Sequence, residues 1–258
     1  MVERKPTERP GPAAARDQDE RLARCSGADA RALLAILEEE LAPRHLVPLQ
    51  RNPHFPREGV ERVARERVWL QFQEVRRVFV RRADAPRAVA VTQVAYLFWR
   101  DLTSVAADPA VQPVVRRAAE RRLIAVLDDM ALGEKLPLSR IAPREIVREL
   151  RKTDDPRVLA QLLLNPRLVE EDVVFMARGE RTAQPVLLLL ARTPRWTVRH
   201  EVRLALLRNQ SLPLAAALPL ITPLSATEAR DLMRRKNLPM SLSQAVAAHF
   251  AKARTPKR

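Results

Sequence analysis

Along this chain apolar residues recur at spacings of three and four, and proline breaks the recurrence. In "DARALLAILEEEL" (Asp29 to Leu41), Leu33, Leu34, Ile36, Leu37 and Leu41 share one broad stripe. Asp29 is placed to cap the start of that helix, and Pro43 follows its end. Further on, Pro53, Pro56, Pro86, Pro109, Pro113, Pro143, Pro156, Pro166, Pro185, Pro194, Pro213 and Pro239 each stand beside an amphipathic run. Proline fits the first turn of a helix and breaks its interior. Each run therefore predicts a helix of about 8–15 residues. No stretch alternates apolar and polar residues with the Val, Ile and Thr enrichment of a strand, so no sheet is predicted.

Two helix junctions are spelt alike. "NPHFPREGVERVAR" begins at Asn52 and "NPRLVEEDVVFMAR" at Asn165, an offset of 113. In each, the asparagine is expected to close the preceding helix in the left-handed conformation, and proline to prevent its continuation. Phe55 or Leu168 then anchors the chain before the next helix. Glu170, Glu171 and Asp172 fall in that helix's first turn, at the positive end of its dipole. A second match lays "WLQFQEVRRVFVRRADAPRAVA" from Trp69 over "WTVRHEVRLALLRNQSLPLAAA" from Trp196, an offset of 127. "FWRDL" from Phe98 and "EARDL" from Glu228 continue the likeness after a slip of three residues. The two main offsets differ by 14 residues, about one helix, and the surplus falls within "GERTAQPVLLLLART" from Gly179.

The pattern thus predicts an all-α solenoid built by tandem internal duplication, in which helix pairs hide their apolar faces by stacking on neighbours. The expected organisation is a disordered tail over 1–26 and a first copy, one helix shorter, over 27–128. A helical connector over 129–152, a second copy over 153–251 and a basic tail over 252–258 complete it. The segments "LGEKLPLSRIAPREIV", "DDPRVLAQLLLNPRLVEEDVVFMAR", "RWTVRHEVRLALLRNQSLPLAAALPLI" and "FWRDLTSVAADP" resemble an uncharacterised group of bacterial proteins built from HEAT-like, leucine-rich-repeat-variant helical repeats. The resemblance covers roughly residues 43 to 250. It implies a helical-repeat fold and no activity. The chain departs from that pattern at Val169, where such repeats carry Thr or Ser, and in its shortened first half.

Composition narrows the function. Five glycines against 21 prolines leave little material for glycine-rich functional loops. The formal net charge is +15, nearly all of the positive charge being arginine, a balance that attracts polyanions. A GC-rich coding sequence would give the same arginine excess. Cys25, the only cysteine, sits among polar neighbours and can form no disulfide within the chain, which fits a reducing cytoplasm. The first 21 residues lack the apolar core of a signal peptide. The longest apolar stretch, "LPLAAALPLI" from Leu212, is about half a membrane span.

No catalytic, cofactor-binding or metal-binding constellation emerges. His45, His54, His200 and His249 are scattered, without the spacing of zinc ligands. Gly133 stands alone and reads as a turn between helices. Adjacent acids such as Asp128-Asp129, Asp154-Asp155 and Glu170-Glu171 suit helix ends, because neighbouring residues do not face one substrate. Trp69 and Trp196 read as core residues, and Trp99 as an exposed contact. Two arginine sets remain as a candidate polyanion surface: Arg76, Arg77, Arg81 and Arg82, then Arg116, Arg117, Arg121 and Arg122. At their three-to-five spacings each could form a basic ridge along a helix, as in helical-repeat DNA glycosylases, although the acidic and aromatic lesion pocket of such enzymes cannot be placed here. The expected role is a non-catalytic scaffold that binds another protein. The alternative is nucleic-acid binding, to DNA, through the arginine ridges.

Overall fold

Proline sets the punctuation. Pro43, Pro113, Pro156 and Pro194 each open a helix, and Pro56, Pro86, Pro143 and Pro213 each hold the position just before one. Pro48, Pro137 and Pro219 depart from this rule by lying inside helices. In the computed structural model the chain is all-helical. The structure describes residues 20, 23–27, 29–39, 41–179, 182–234 and 238–254, and among them no strand occurs. Most of the expected N-terminal tail, and residues 255–258 of the basic tail, lie outside the described residues.

The chain divides into two compact units, Met1–Ala125 and Val126–Arg258. The first holds α1, described over 23–27, α2 (Ala30–Ile36), α3 (Pro43–Arg51) and α4 (Arg57–Arg65). A 3-10 turn (Trp69–Gln71), α5 (Gln73–Phe79), α6 (Arg87–Val94) and α7 (Trp99–Ala107) follow. Helix α8 (Pro113–Leu127) ends the unit and carries the division in its last turn. Within this unit α5 lies along α3, α2 touches α4, and the 3-10 turn wedges between α4 and α5.

The second unit holds α9 (Leu132–Ile141), α10 (Arg144–Leu150), α11 (Pro156–Leu162), α12 (Glu170–Arg178) and α13 (Gln184–Ala191). A one-turn helix α14 (Pro194–Thr197), α15 (His200–Arg208), α16 (Leu214–Ile221), α17 (Ala226–Met233) and α18 (Met240–Arg254) complete it. Here α11 lies along α9, α15 lies along α12, and α13 packs on α11 and α16.

The helix bounds repeat. Both ends of α4 recur in α12 at an offset of 113. Both ends of α6 and of α8 recur in α16 and α18 at 127, as do the first residues of α5 and α7 in α15 and α17. The segment 129–152, read as a connector, consists of α9 and α10, which precede α11 as α1 and α2 precede α3. Helix α13 has no counterpart in the first unit. It falls inside the 14-residue surplus.

The junction asparagines work differently from expectation. No described non-glycine residue has a positive φ, so Asn52 and Asn165 do not close their helices in the left-handed conformation. Asn165 is instead fully buried and reaches back across the chain. Its Nδ2 donates to the carbonyls of Ser139 and Ala142 at 2.8 and 3.1 Å, at the end of α9, and its Oδ1 accepts from the Arg167 N–H at 2.8 Å. Carbonyls at a helix end have no intrahelical donor, so one side chain ties a helix terminus to a turn 26 residues away. Asn52 does the same for the carbonyls of Cys25 and Ser26, and Asn209 for those of Ala177 and Gly179. Three residues beyond each asparagine Phe55, Leu168 or Leu212 is buried as the anchor.

The core is aliphatic. Leu163, Leu206 and Trp196 are buried, whereas Leu189 and Trp69 are half-buried. Cys25, placed by its polar neighbours in a tail, lies on helical α1 and is completely enclosed. Burial pushes its thiol above the ordinary value. Gly133 is not a turn but the second residue of α9. Gly59 is needed for space: a Cβ there would meet the Phe55 ring at 2.7 Å.

Candidate functional site

The first arginine set sits on α5 and the turn after it, and the fold uses half of it internally. Arg76 donates to Gln93 at 3.0 Å, to Gln73 at 2.7 Å and to the Tyr96 carbonyl at 3.2 Å, and its guanidinium lies 5.1 Å from the Tyr96 ring centroid. Partial burial holds its pKa below the usual arginine value. Arg82 is 15% exposed. It pairs with Asp84 at 2.8 Å, donates to the carbonyls of Gln50 and Phe55, and covers the Phe55 ring. The pairing holds the Asp84 carboxyl below its ordinary range. Arg82 thus ties α5 to the α3–α4 junction, the work that Asn209 does in the second unit at the same offset of 127. Arg77 stands 4.0 Å from Asp101, and Arg81 donates to Ser104. With Arg51 these residues line an open depression of about 580 Å³.

The second set lies on α8. Arg116 is half-buried, while Arg117, Arg121 and Arg122 are exposed, with no acidic partner among the described residues. No described cavity is lined by both sets. Trp99, expected to be exposed, is half-buried at the start of α7, with Arg100 stacked at 5.1 Å from its ring centroid. The open aromatics are its neighbours Tyr96 and Phe98, at 60% and 68% exposure.

Sequence reasoning missed a trough between α4 and α6. Two depressions of about 620 and 730 Å³ share Ala64, Arg65 and Val89 and so form one channel. Small and aliphatic side chains line it: Leu70 and Ala85 are buried, Ala64 and Val89 half-buried, and Ala88 exposed. Arg57, Arg65, Arg67 and Arg87 stand on its rim, and Tyr96 closes one end. Glu61 lies between Arg57 and Arg65, at 3.1 and 3.6 Å. Ala64, Ala88 and Val89 alone gave no sequence signal, because small residues on a helix fit equally a close helix contact and an open surface.

In the second unit the most enclosed charge is Asp172, expected only as a dipole partner in a first turn. It is completely buried, bound by Arg144 and by Arg151 at 2.7 Å, and accepts the Val169 N–H at 3.2 Å. That contact is the back-reaching half of a helix cap, from the third residue of α12 to the N–H of its N-cap, and Val169 itself offers no side-chain acceptor. Arg151 also covers Phe175 at 4.2 Å from the ring centroid. With both oxygens engaged by arginines, Asp172 is tied into the framework of the unit. His200 meets Glu228, whose carboxyl is held below its ordinary value first by Ser225 in a reciprocal helix cap and then by His200. Among the described residues no three His, Cys, Asp or Glu side chains converge as metal ligands, and no helix is long and apolar enough to cross a membrane. No family model, curated protein or solved structure matches the chain.

Proposed function

We propose that the chain is a non-catalytic helical-repeat scaffold, two duplicated HEAT-like arrays that bind another protein in a cytoplasm. The coinciding helix bounds and the three back-reaching asparagines support the duplication and the repeat reading. The observation that carries the function is the trough between α4 and α6, where apolar side chains are flanked by arginines. Such a surface offers burial and orientation, the two requirements of a protein interface core and rim.

One observation favours nucleic acid instead: Arg117, Arg121 and Arg122 stand exposed on α8 with no acidic partner among the described residues. The test is duplex DNA binding against salt. A scaffold gives only generic affinity, about 10⁻⁴–10⁻⁶ M at physiological salt, little changed by Arg117→Ala, Arg121→Ala and Arg122→Ala together. Tight binding that falls steeply with salt, and whose slope the triple substitution flattens by about three contacts, overturns the scaffold reading.

A further inference from the structure

The trough has an internal point of comparison. Ala64 on α4 lines it, half-exposed, whereas Ala177, at the same place in α12, is completely buried. The difference lies in what packs alongside. In the second unit α13 lies on α11, and α15 lies along α12. In the first unit there is no inserted helix, α5 takes the position on α3, and the side of α4 facing α6 is left as a channel. The second unit therefore covers the matching helix with an amphipathic helix of its own, α15, whose buried face carries Val202, Ala205 and Leu206.

We infer that the trough of the first unit is a docking site for an acidic amphipathic helix supplied by another protein, a deepening that rests on the scaffold reading. The size fits. Helix α6 along one wall is about 12 Å long at the helical rise, about two turns of a docked helix. The apolar lining offers contact to an i, i+3, i+4 stripe. The rim sets the charge: Arg57, Arg65, Arg67 and Arg87 face a single carboxylate, Glu61, because Asp84 is already held by Arg82. Glutamates or aspartates flanking the stripe match that rim. A nucleic-acid strand fits less well, because successive bases need successive aromatic faces and Tyr96, at one end, is the one aromatic among the lining residues.

The experiment is selection of 16-residue peptides from a random display library on the full chain, followed by anisotropy titration of the enriched peptides. Enriched peptides are expected to carry apolar residues at helical spacing with flanking Asp or Glu. They should lose at least tenfold in affinity for Ala64→Glu, and for the double variant Arg65→Glu, Arg87→Glu. The double variant changes only exposed side chains, so it stays informative should Ala64→Glu misfold by circular dichroism. Absence of enrichment, or enrichment of neutral or basic peptides, overturns the proposal. Acidic peptides that bind both variants as tightly as the parent also overturn it, while leaving protein binding elsewhere on the chain intact. Displacement of the peptides by a single-stranded oligonucleotide at equal or lower concentration assigns the trough to nucleic acid and overturns both readings.

Discussion

Replacing Asn165 by aspartate changes one NH₂ group to an oxygen and tests the junction directly. The parent side chain donates two hydrogen bonds, to Ser139 and Ala142, and accepts one from Arg167. The carboxylate keeps the accepted bond. It turns each donated bond into an oxygen facing an oxygen, at a position with no solvent exposure. A buried carbonyl left without its donor costs about 1–3 kcal/mol, so two cost about 2–6. Burial of the new charge adds to this until the group protonates. Asn165→Asp should therefore lose at least about 3 kcal/mol at pH 8, shifting a urea midpoint by about 1–1.5 M for an m-value of 2–3 kcal/mol/M.

The pH dependence separates this account from a general loss of packing. Burial and the two facing carbonyls raise the introduced carboxyl's folded-state pKa above its unfolded value. Between those two values the native state binds more protons than the unfolded state, so stability falls as pH rises. The damage should be full at pH 8 and shrink toward pH 5, where the protonated group can again donate to one carbonyl. Asn165→Ala should cost about 2–4 kcal/mol without that pH dependence. Urea titrations followed by circular dichroism at both pH values make the measurement. An Asn165→Asp variant within about 0.5 kcal/mol of the parent, or equally destabilised at both pH values, would refute the bonding scheme.

Asp172→Asn should lose about 2–4 kcal/mol in the same urea assay, less than the 3–5 expected on breaking a fully buried pair, because Arg144 and Arg151 keep 28% and 16% of their side-chain surface; an unchanged midpoint would remove Asp172 from the core network. Cys25 should react with iodoacetamide at pH 8 on the order of 100-fold more slowly in the native chain than in guanidinium, since burial raises its thiol and blocks access; equal rates would place it at the surface. Leu206→Ala should cost about 2–5 kcal/mol and the half-buried Leu189→Ala clearly less, and the opposite order in thermal melts would contradict the packing of α13 and α15.

What the sequence made legible was local. Proline and the three-and-four spacing marked most helix starts because both act within one turn. Asn165 was recognised as a junction, but its partners lie 23 and 26 residues away, which no local pattern reveals. The same limit hid the fates of Arg76 and Arg82. Their spacing is that of a ridge, and only the positions of Tyr96, Gln50 and Phe55 make them part of the framework. Cys25 misled for a related reason: its described neighbours Ala23, Arg24, Ser26 and Gly27 are all exposed, and the junction that reaches it, through Asn52, lies 27 residues away.

On the proposed duplication, helix α13 is an insertion that alters a surface without altering the elements around it. Helices α5 and α15 begin at positions 127 residues apart, yet α5 lies along α3 while α15 lies along α12. When helices alternate between two rows, adding one helix moves every later helix to the opposite row. Helix α13 contacts α11 as α5 contacts α3, while α15 lies along α12, the helix that carries the buried Ala177. Helix α6 and its counterpart α16 differ in the same sense, since α16 packs on α13, which the first unit lacks. Two units with coinciding helix bounds therefore present different faces. On the proposed duplication, the open trough beside Ala64 is a consequence of helix parity, and no change to the helices that line it is needed to produce it.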